Sequence, residues 1–356
     1  MATIIMNVAD LQAIANNMAG DYELGADIDL SGVGWTPLGA SADHTSFTNF
    51  TGTFDGKGHK ISNLTVNINV RTEYTYAGLF ARLGICTISN LVISNAVLTV
   101  EGYNPHVGIL AGRAYYEQPT ISNVSVEGEF WVTHVDSSSK GDPSVGGLIG
   151  CLYGSNTVSV TDCIATVEMH IYGCSRTLYV AGFIGYGRQL LMTRCFAFGA
   201  ITVENTADSG INVSTMQALC YYTEHVNCAT AVSVYGAIAN TVSTCGRYLT
   251  SSQEFTATTR RMWDGATVSY ETYTDNKISI ISQADFVALT SANSSAYNTE
   301  NVDFANGKYL KLAIDTETVK IYDLTIAGQT FIGVKKVIYN GTDLNKLTIN
   351  GTEYTF

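Results

Sequence analysis

Charge and proline are both scarce in this 356-residue chain. Only 14% of residues are charged and 4 are proline, so long solvated charge runs and stiff proline-rich linkers have no place in it. Basic residues are the rarer sign, 19 Lys and Arg against 31 Asp and Glu, for a formal charge of −12. The longest basic runs are the pairs Arg260-Arg261 and Lys335-Lys336. A groove that tracks nucleic-acid phosphates needs clustered cations, so that class is excluded. No apolar stretch approaches the ~20 residues of a membrane-spanning helix. Met1 to Met6 has neither the charged nor the apolar segment of a secretory leader, so the expected route is cytoplasmic synthesis without classical export. The 8 cysteines show no C-x-x-C spacing and no matching histidine pair. No metal site and no cofactor is expected from them, and buried thiols packing as small apolar groups is the reading that remains.

What the chain does have is glycine, 33 copies, and strand-forming residues within a 46% hydrophobic composition. That balance predicts an all-β fold. Repetition sharpens it. An apolar-Gly-apolar string occurs at Tyr76-Ala77-Gly78-Leu79-Phe80 and Val107-Gly108-Ile109-Leu110. It returns at Val145-Gly146-Gly147-Leu148-Ile149 and Val180-Ala181-Gly182-Phe183-Ile184, with Tyr235-Gly236-Ala237-Ile238 as a faded copy. Taking Gly78, Gly108, Gly147 and Gly182 as equivalent gives spacings of 30, 39 and 35 residues. A second string alternates with the first: Ile61-Ser62-Asn63-Leu64, Ile88-Ser89-Asn90-Leu91 and Ile121-Ser122-Asn123-Val124. It decays to Thr161-Asp162-Cys163, Thr193-Arg194-Cys195 and Val226-Asn227-Cys228.

Units of about 30 residues made of short strands cannot bury their own apolar faces, so they must stack on their neighbours. The predicted architecture is a right-handed parallel β-helix in which equivalent residues form ladders about 4.8 Å apart. Leu64, Leu91, Val124, Cys163, Cys195 and Cys228 are the expected interior ladder. Asn63, Asn90 and Asn123 are expected at one corner, where asparagine tolerates a left-handed backbone. Residues 1–35 read as an amino-terminal cap, with Asn7 as the N-cap of a helix over 8–18 and a strand over 22–30. The solenoid is placed at 36–274 and a small carboxy-terminal domain at 275–356. Asn340-Gly341 and Asn350-Gly351 sit between alternating apolar residues, the pattern of an antiparallel meander.

The opening block, Tyr22-Glu23-Leu24-Gly25-Ala26-Asp27-Ile28-Asp29-Leu30, Trp35-Thr36-Pro37-Leu38-Gly39 and Phe50-Thr51-Gly52-Thr53-Phe54-Asp55-Gly56, resembles GLUG-motif proteins. The later Gly-containing strings are similar to the GLUG repeats themselves. The resemblance spans residues 5–270 and implies a right-handed β-helix of the kind found in bacterial surface adhesins and bacteriophage structural proteins. It carries no catalytic motif. The carboxy-terminal Asn-Gly hairpins are similar to ends seen on phage tail and fibre proteins.

The resulting functional expectation is a non-enzymatic virion component, a fibre, spike or decoration module that assembles in the host cytoplasm. Its expected partners are other virion proteins and a host-surface glycan or protein, without nucleic acid or membrane insertion, and a homotrimer is the assembly such fibres commonly adopt. A bacterial surface adhesin is one alternative. A polysaccharide lyase or hydrolase is another, because β-helices host paired carboxylates; Asp136, Asp142, Asp162 and Glu168 are the acids to weigh. Asp27 and Asp29 read as turn acids. Among 21 tyrosines, Tyr103, Tyr115, Tyr116, Tyr221 and Tyr222, with Trp131, fall in or beside predicted loops. Flat aromatic rings there suit contact with a glycan or another surface.

Overall fold

A computed structural model describes residues 2–70, 74–115, 117–135, 143–172, 178–204 and 283–300. Shorter described stretches lie at 213–217, 223–226, 228–236, 246–247, 258–263, 268–273, 302–306, 308–315 and within 322–355. Residues 1–315 form one compact unit and 316–356 a second.

The first unit is a parallel β-solenoid of about five turns. Four long strands, Thr87–Gly102, Thr120–His134, Ile149–Tyr172 and Ile184–Glu204, lie side by side in parallel register. A second parallel sheet of five short strands, Thr75–Ala77, Pro105–Val107, Ser144–Gly146, Leu178–Ala181 and Val213–Gln217, forms another wall. Simple alternation decides what is inside. In Thr65–Asn69 the odd-numbered residues are exposed while Val66 and Ile68 are buried. Val66, Leu98, Phe130, Met169 and Ile201 are register partners and all are buried, an interior ladder one side chain deep per coil. Each such side chain contributes about 1.5–3 kcal/mol on burial.

The glycine string marks a tight arc joining the two sheets. A Cβ on Gly78 would lie 2.3 Å from the Gly108 carbonyl oxygen, and one on Gly147 would lie 2.2 Å from that of Gly182. Backbones therefore touch along this ladder and leave no room for a side chain. Tyr235-Gly236 does not belong to it. These residues end the strand Ala229–Gly236 and register with Thr202 and Val203, on a different wall.

The long strands turn at two successive corners. Asn90, Asn123, Asp162 and Arg194 occupy the first, with φ of 52°, 55°, 54° and 51°. Asn63 and Asn95 turn the second in their coils, with φ of 60° and 52°. The three asparagines grouped from the sequence thus divide between two corners. Ile61 registers with Ile93, not with Ile88, because Ile93-Ser94-Asn95 repeats the same string five residues further along the same coil. Leu64 accordingly stacks beside Ala96, while Leu91, Val124, Cys163 and Cys195 share a ladder with Cys228 hydrogen-bonded at its end. All of these are buried.

At the amino end, Asn7 caps the helix Val8–Ala13 by accepting from the Asp10 amide at 3.0 Å. The helix tightens into a 3-10 turn at Ile14–Asn16, and the strand expected over 22–30 is two strands, Asp21–Leu24 and Ile28–Asp29. Thr3–Ile5 adds a further parallel strand outside Asp21–Leu24. The second unit contains antiparallel hairpins at Tyr322–Ile326 with Gln329–Val334, Val337–Tyr339 with Thr342–Leu344, and Lys346–Ile349 with Thr352–Thr355.

One segment leaves the solenoid rhythm. Residues 283–315 carry a helix at Gln283–Ala288 and a short antiparallel pair, Tyr297–Asn298 with Lys311–Leu312. This strap crosses the outer surface between the two corners. There Ile164, Phe196 and Phe198 point outward and are buried against Phe286, Tyr297, Phe304, Leu310 and Leu312.

Candidate functional site

Beyond the second corner, the long strands continue along a wall that no other element covers among the described residues. Its outward positions are Thr65, Asn67 and Asn69, then Val97, Thr99 and Glu101, then Glu129, Trp131 and Thr133, then Glu168, His170 and Tyr172. Equivalent positions in successive coils face one another, so similar rings stack. Trp131 and His170 lie face to face, centroids 4.0 Å apart and planes 9° apart. Tyr172 lies 6.1 Å from Trp131 at 10°. Trp131 retains 37% exposure.

Carboxylates flank this stack. Glu129 approaches His170 Nε2 at 3.9 Å. Glu168, the register partner of Glu129, has its carboxyl raised above the ordinary range by partial desolvation; His170 opposes that shift and the Glu129 charge adds to it. Glu101 accepts from Asn69 Nδ2 at 3.4 Å.

A second aromatic group lies at the glycine arc. Tyr74, Tyr76 and His106 stack with centroids 5.5–6.2 Å apart. Arg82 and Arg113 lie over Tyr76, both 5.8 Å from its centroid, and Arg113 donates to the Tyr76 hydroxyl at 2.9 Å. His106 Nδ1 meets Ser144 Oγ at 2.7 Å. Full burial, with the Arg113 charge adding to it, pushes the imidazole well below its usual pKa. With Tyr76, His106 and Ser144 all buried, this group reads as packing.

Of the aromatic residues singled out in the sequence, Trp131 alone enters a described ring cluster. Tyr103 is half-buried in the turn after Thr87–Gly102. Tyr115 ends the strand Ala111–Tyr115 and registers with Tyr153; Tyr116, Tyr221 and Tyr222 lie outside the described residues. His170, read from the sequence only as a histidine without metal-ligand spacing, and Tyr172 were not among the contact rings singled out. The signal was present, since Trp131 and His170 are separated by the same 39 residues as Gly108 and Gly147.

Of the acids weighed for catalysis, the two among the described residues lie apart, Asp162 at the first corner and Glu168 on the wall beyond the second. Asp136 and Asp142 lie outside the described residues. Asp162 is committed to Arg194, with contacts of 2.6 and 2.8 Å. Asp27 accepts from the Lys60 amide at 3.0 Å and meets His59 at 3.1 Å, and Asp29 accepts from the Ser31 amide at 2.9 Å and Asn63 Nδ2 at 2.7 Å. Both are turn acids.

With this geometry in place, comparison with known proteins redirects the functional reading. The sequence model of the M26 IgA1-specific metallo-endopeptidase N-terminal region matches residues 6–128, the stretch that includes the opening block. A protein of Evansella cellulosilytica named as a Gly-rich membrane protein is 32% identical over 163 residues, covering 39% of this chain. Halomucin of Haloquadratum walsbyi is 38% identical over 157 residues, covering 40%. The chain spans only 18% and 2% of those two relatives. A crystal structure of a Bacteroides ovatus protein named as an immunoglobulin A1 protease superposes with a TM-score of 0.55 at 17% identity, covering 88% of this chain and 93% of that one. That likeness is one of fold.

The match to a peptidase family overturns the expectation of a phage virion module, and neither the adhesin nor the polysaccharide-enzyme alternative fits it. The matched family's name implies a catalytic metal. Among the described residues no three His, Cys, Asp or Glu side chains converge to hold one, so no metal-dependent step is assigned to them.

Proposed function

We propose that this chain is a recognition module of a peptidase-related protein, a β-solenoid that holds a polypeptide substrate rather than cutting it. The observation that carries this reading is the family match over residues 6–128, which is to the N-terminal region of an endopeptidase family. The wall bearing Trp131, His170 and Tyr172 is the surface we propose for the contact. Aromatic side chains with a polar rim are the composition of protein-binding surfaces. Immunoglobulin A1, the substrate in the matched family's name, is the first ligand to test. The chain immobilised on a biosensor is expected to bind immunoglobulin A1 saturably, to leave serum albumin unbound, and to leave the immunoglobulin uncleaved on gels. Absence of binding, or cleavage by the chain itself, overturns the proposal.

A further inference from the structure

We infer that the Trp131 stack seats a cationic side chain, lysine or arginine, of a polypeptide partner. This deepens the recognition reading above and rests on it for the polypeptide nature of the ligand.

The ring planes set the geometry. Trp131 registers with Thr99 on one side and His170 on the other, and its plane is nearly parallel to that of His170. One indole face is therefore covered by the imidazole. The other is turned toward Thr99, whose side chain is much smaller than an indole, and Trp131 as a whole keeps 37% exposure. Among aromatic side chains, an indole face is the strongest partner for a cation.

Charge selects among ligands that could stack there. Glu129 precedes Trp131 by two residues on the same face, and Glu168 is its neighbour one coil on. Glu101 registers with Thr133, two residues past Trp131. The outward positions from Thr65 to Tyr172 contain no Lys or Arg, and His170 is their one basic group. Adjacent like charges on a sheet repel each other, so Glu129 and Glu168 stand in a costly arrangement that an incoming ammonium or guanidinium relieves. A proline ring or a neutral pyranose would use the indole face but gain nothing from the acidic rim. Carboxylates rimming an aromatic face use every group at the site for a cation.

The test uses the whole chain and fluorescein-labelled, end-capped nonapeptides of Gly and Ser carrying two central Arg residues. The control peptide is identical except for citrulline, which keeps the shape of arginine without its charge. Fluorescence polarisation is expected to show the Arg peptide binding at 50 mM salt and weakening as salt rises. Trp131→Ala is expected to weaken it about 3- to 30-fold, Trp131→Tyr to recover part of that loss, and Glu129→Gln with Glu168→Gln to flatten the salt dependence. Equal binding of Arg and citrulline peptides overturns the inference. So does Trp131-dependent binding of neutral oligosaccharides in place of the Arg peptide. Far-ultraviolet circular dichroism and melting of each variant establish that the fold is intact, and the Trp131→Tyr rescue supplies a second, fold-independent readout. Immunoglobulin A1 binding that survives Trp131→Ala sinks this inference and leaves the recognition module standing. Arg-peptide binding without immunoglobulin A1 binding does the reverse.

Discussion

The same corner of the solenoid is built in two chemistries. In the earlier coils it is turned by Asn90 and Asn123, whose side chains stack as amides: Asn90 Nδ2 donates to Asp55 Oδ1 at 3.0 Å and Asn123 Nδ2 donates to Asn90 Oδ1 at 2.9 Å. In the later coils it is turned by Asp162 and Arg194, locked by two contacts of 2.6 and 2.8 Å. The ladder breaks between them, because Asp162 has no amide hydrogen to offer and Asn123 Oδ1 is left buried without a donor. A corner that touches only its own copies is served by a repeating amide. A corner that must also hold a second element is served by charge. Tyr297 from the strap approaches Asp162 Oδ1 at 3.0 Å and donates to the Arg194 carbonyl at 2.7 Å, and Asn293 Nδ2 donates to Asp162 Oδ2 at 3.0 Å.

The largest expected effect comes from removing the charge. Asp162→Ala leaves Arg194 half-buried and unpaired, at a cost of about 3–5 kcal/mol, read as a fall in the denaturation midpoint. Asp162→Asn sharpens the comparison. It restores an amide donor toward Asn123 Oδ1 while losing the ion pair, so it is expected to cost less than Asp162→Ala in the same denaturant series. Acid tests the same pair without mutation. Burial raises the Asp162 carboxyl, yet hydrogen bonds from Arg194, Asn293 and Tyr297 and the Arg194 charge outweigh it and leave its pKa lowered. A group lowered on folding contributes stability that is full above its unfolded pKa of about 4 and is lost as pH falls toward the folded value. Below about pH 4 the wild type is therefore expected to lose stability faster than Asp162→Asn does.

Tyr297→Phe is expected to cost about 1–3 kcal/mol, since it strips a donor from two partly buried acceptors. Hydrogen exchange should locate the loss in residues 283–315 and spare the long strands. The smallest effect falls on the amide section. Asn90→Ala places a Cβ-bearing residue with no polar side chain at φ 52°, costing about 1–2 kcal/mol, whereas Asn90→Gly removes the backbone penalty and isolates the hydrogen bonds. If Asn90→Ala proves as damaging as Asp162→Ala, the distinction between the two sections of the corner fails.

Much of this was legible because ladders write themselves into sequence. Gly78, Gly108, Gly147 and Gly182 announced the arc, since a position without room for a Cβ can hold nothing else. The asparagine string announced a corner but not how many. Asn90 and Asn95 turn the same coil, and identical triplets around them make a five-residue slip invisible to pattern matching alone. Trp131 was noted as a ring in or beside a predicted loop and lies instead within the strand Thr120–His134, while the pairing with His170 and Tyr172 needed the register. The strap was hidden for a different reason. Phe196 and Phe198 alternate with Ala197 in a strand whose other face is also apolar, and nothing local says which element covers them. The expectation of a virion module failed because a stacked fold serves many purposes, and the repeats that announce the coils do not say which of those purposes they serve.

The strap also sets an order of events. Hydrogen bonds along the corners join residues 32 to 35 apart, as between Asn63 and Asn95 or Asn90 and Asp55. Those from the strap join residues 135 apart at Asp162 and 190 apart at Ser125. Closing so long a loop is entropically costly before its contacts exist, and its docking surface requires three neighbouring coils already in register. Contact separation alone therefore favours pairing of neighbouring coils before docking of the strap, which fastens a stack it does not build.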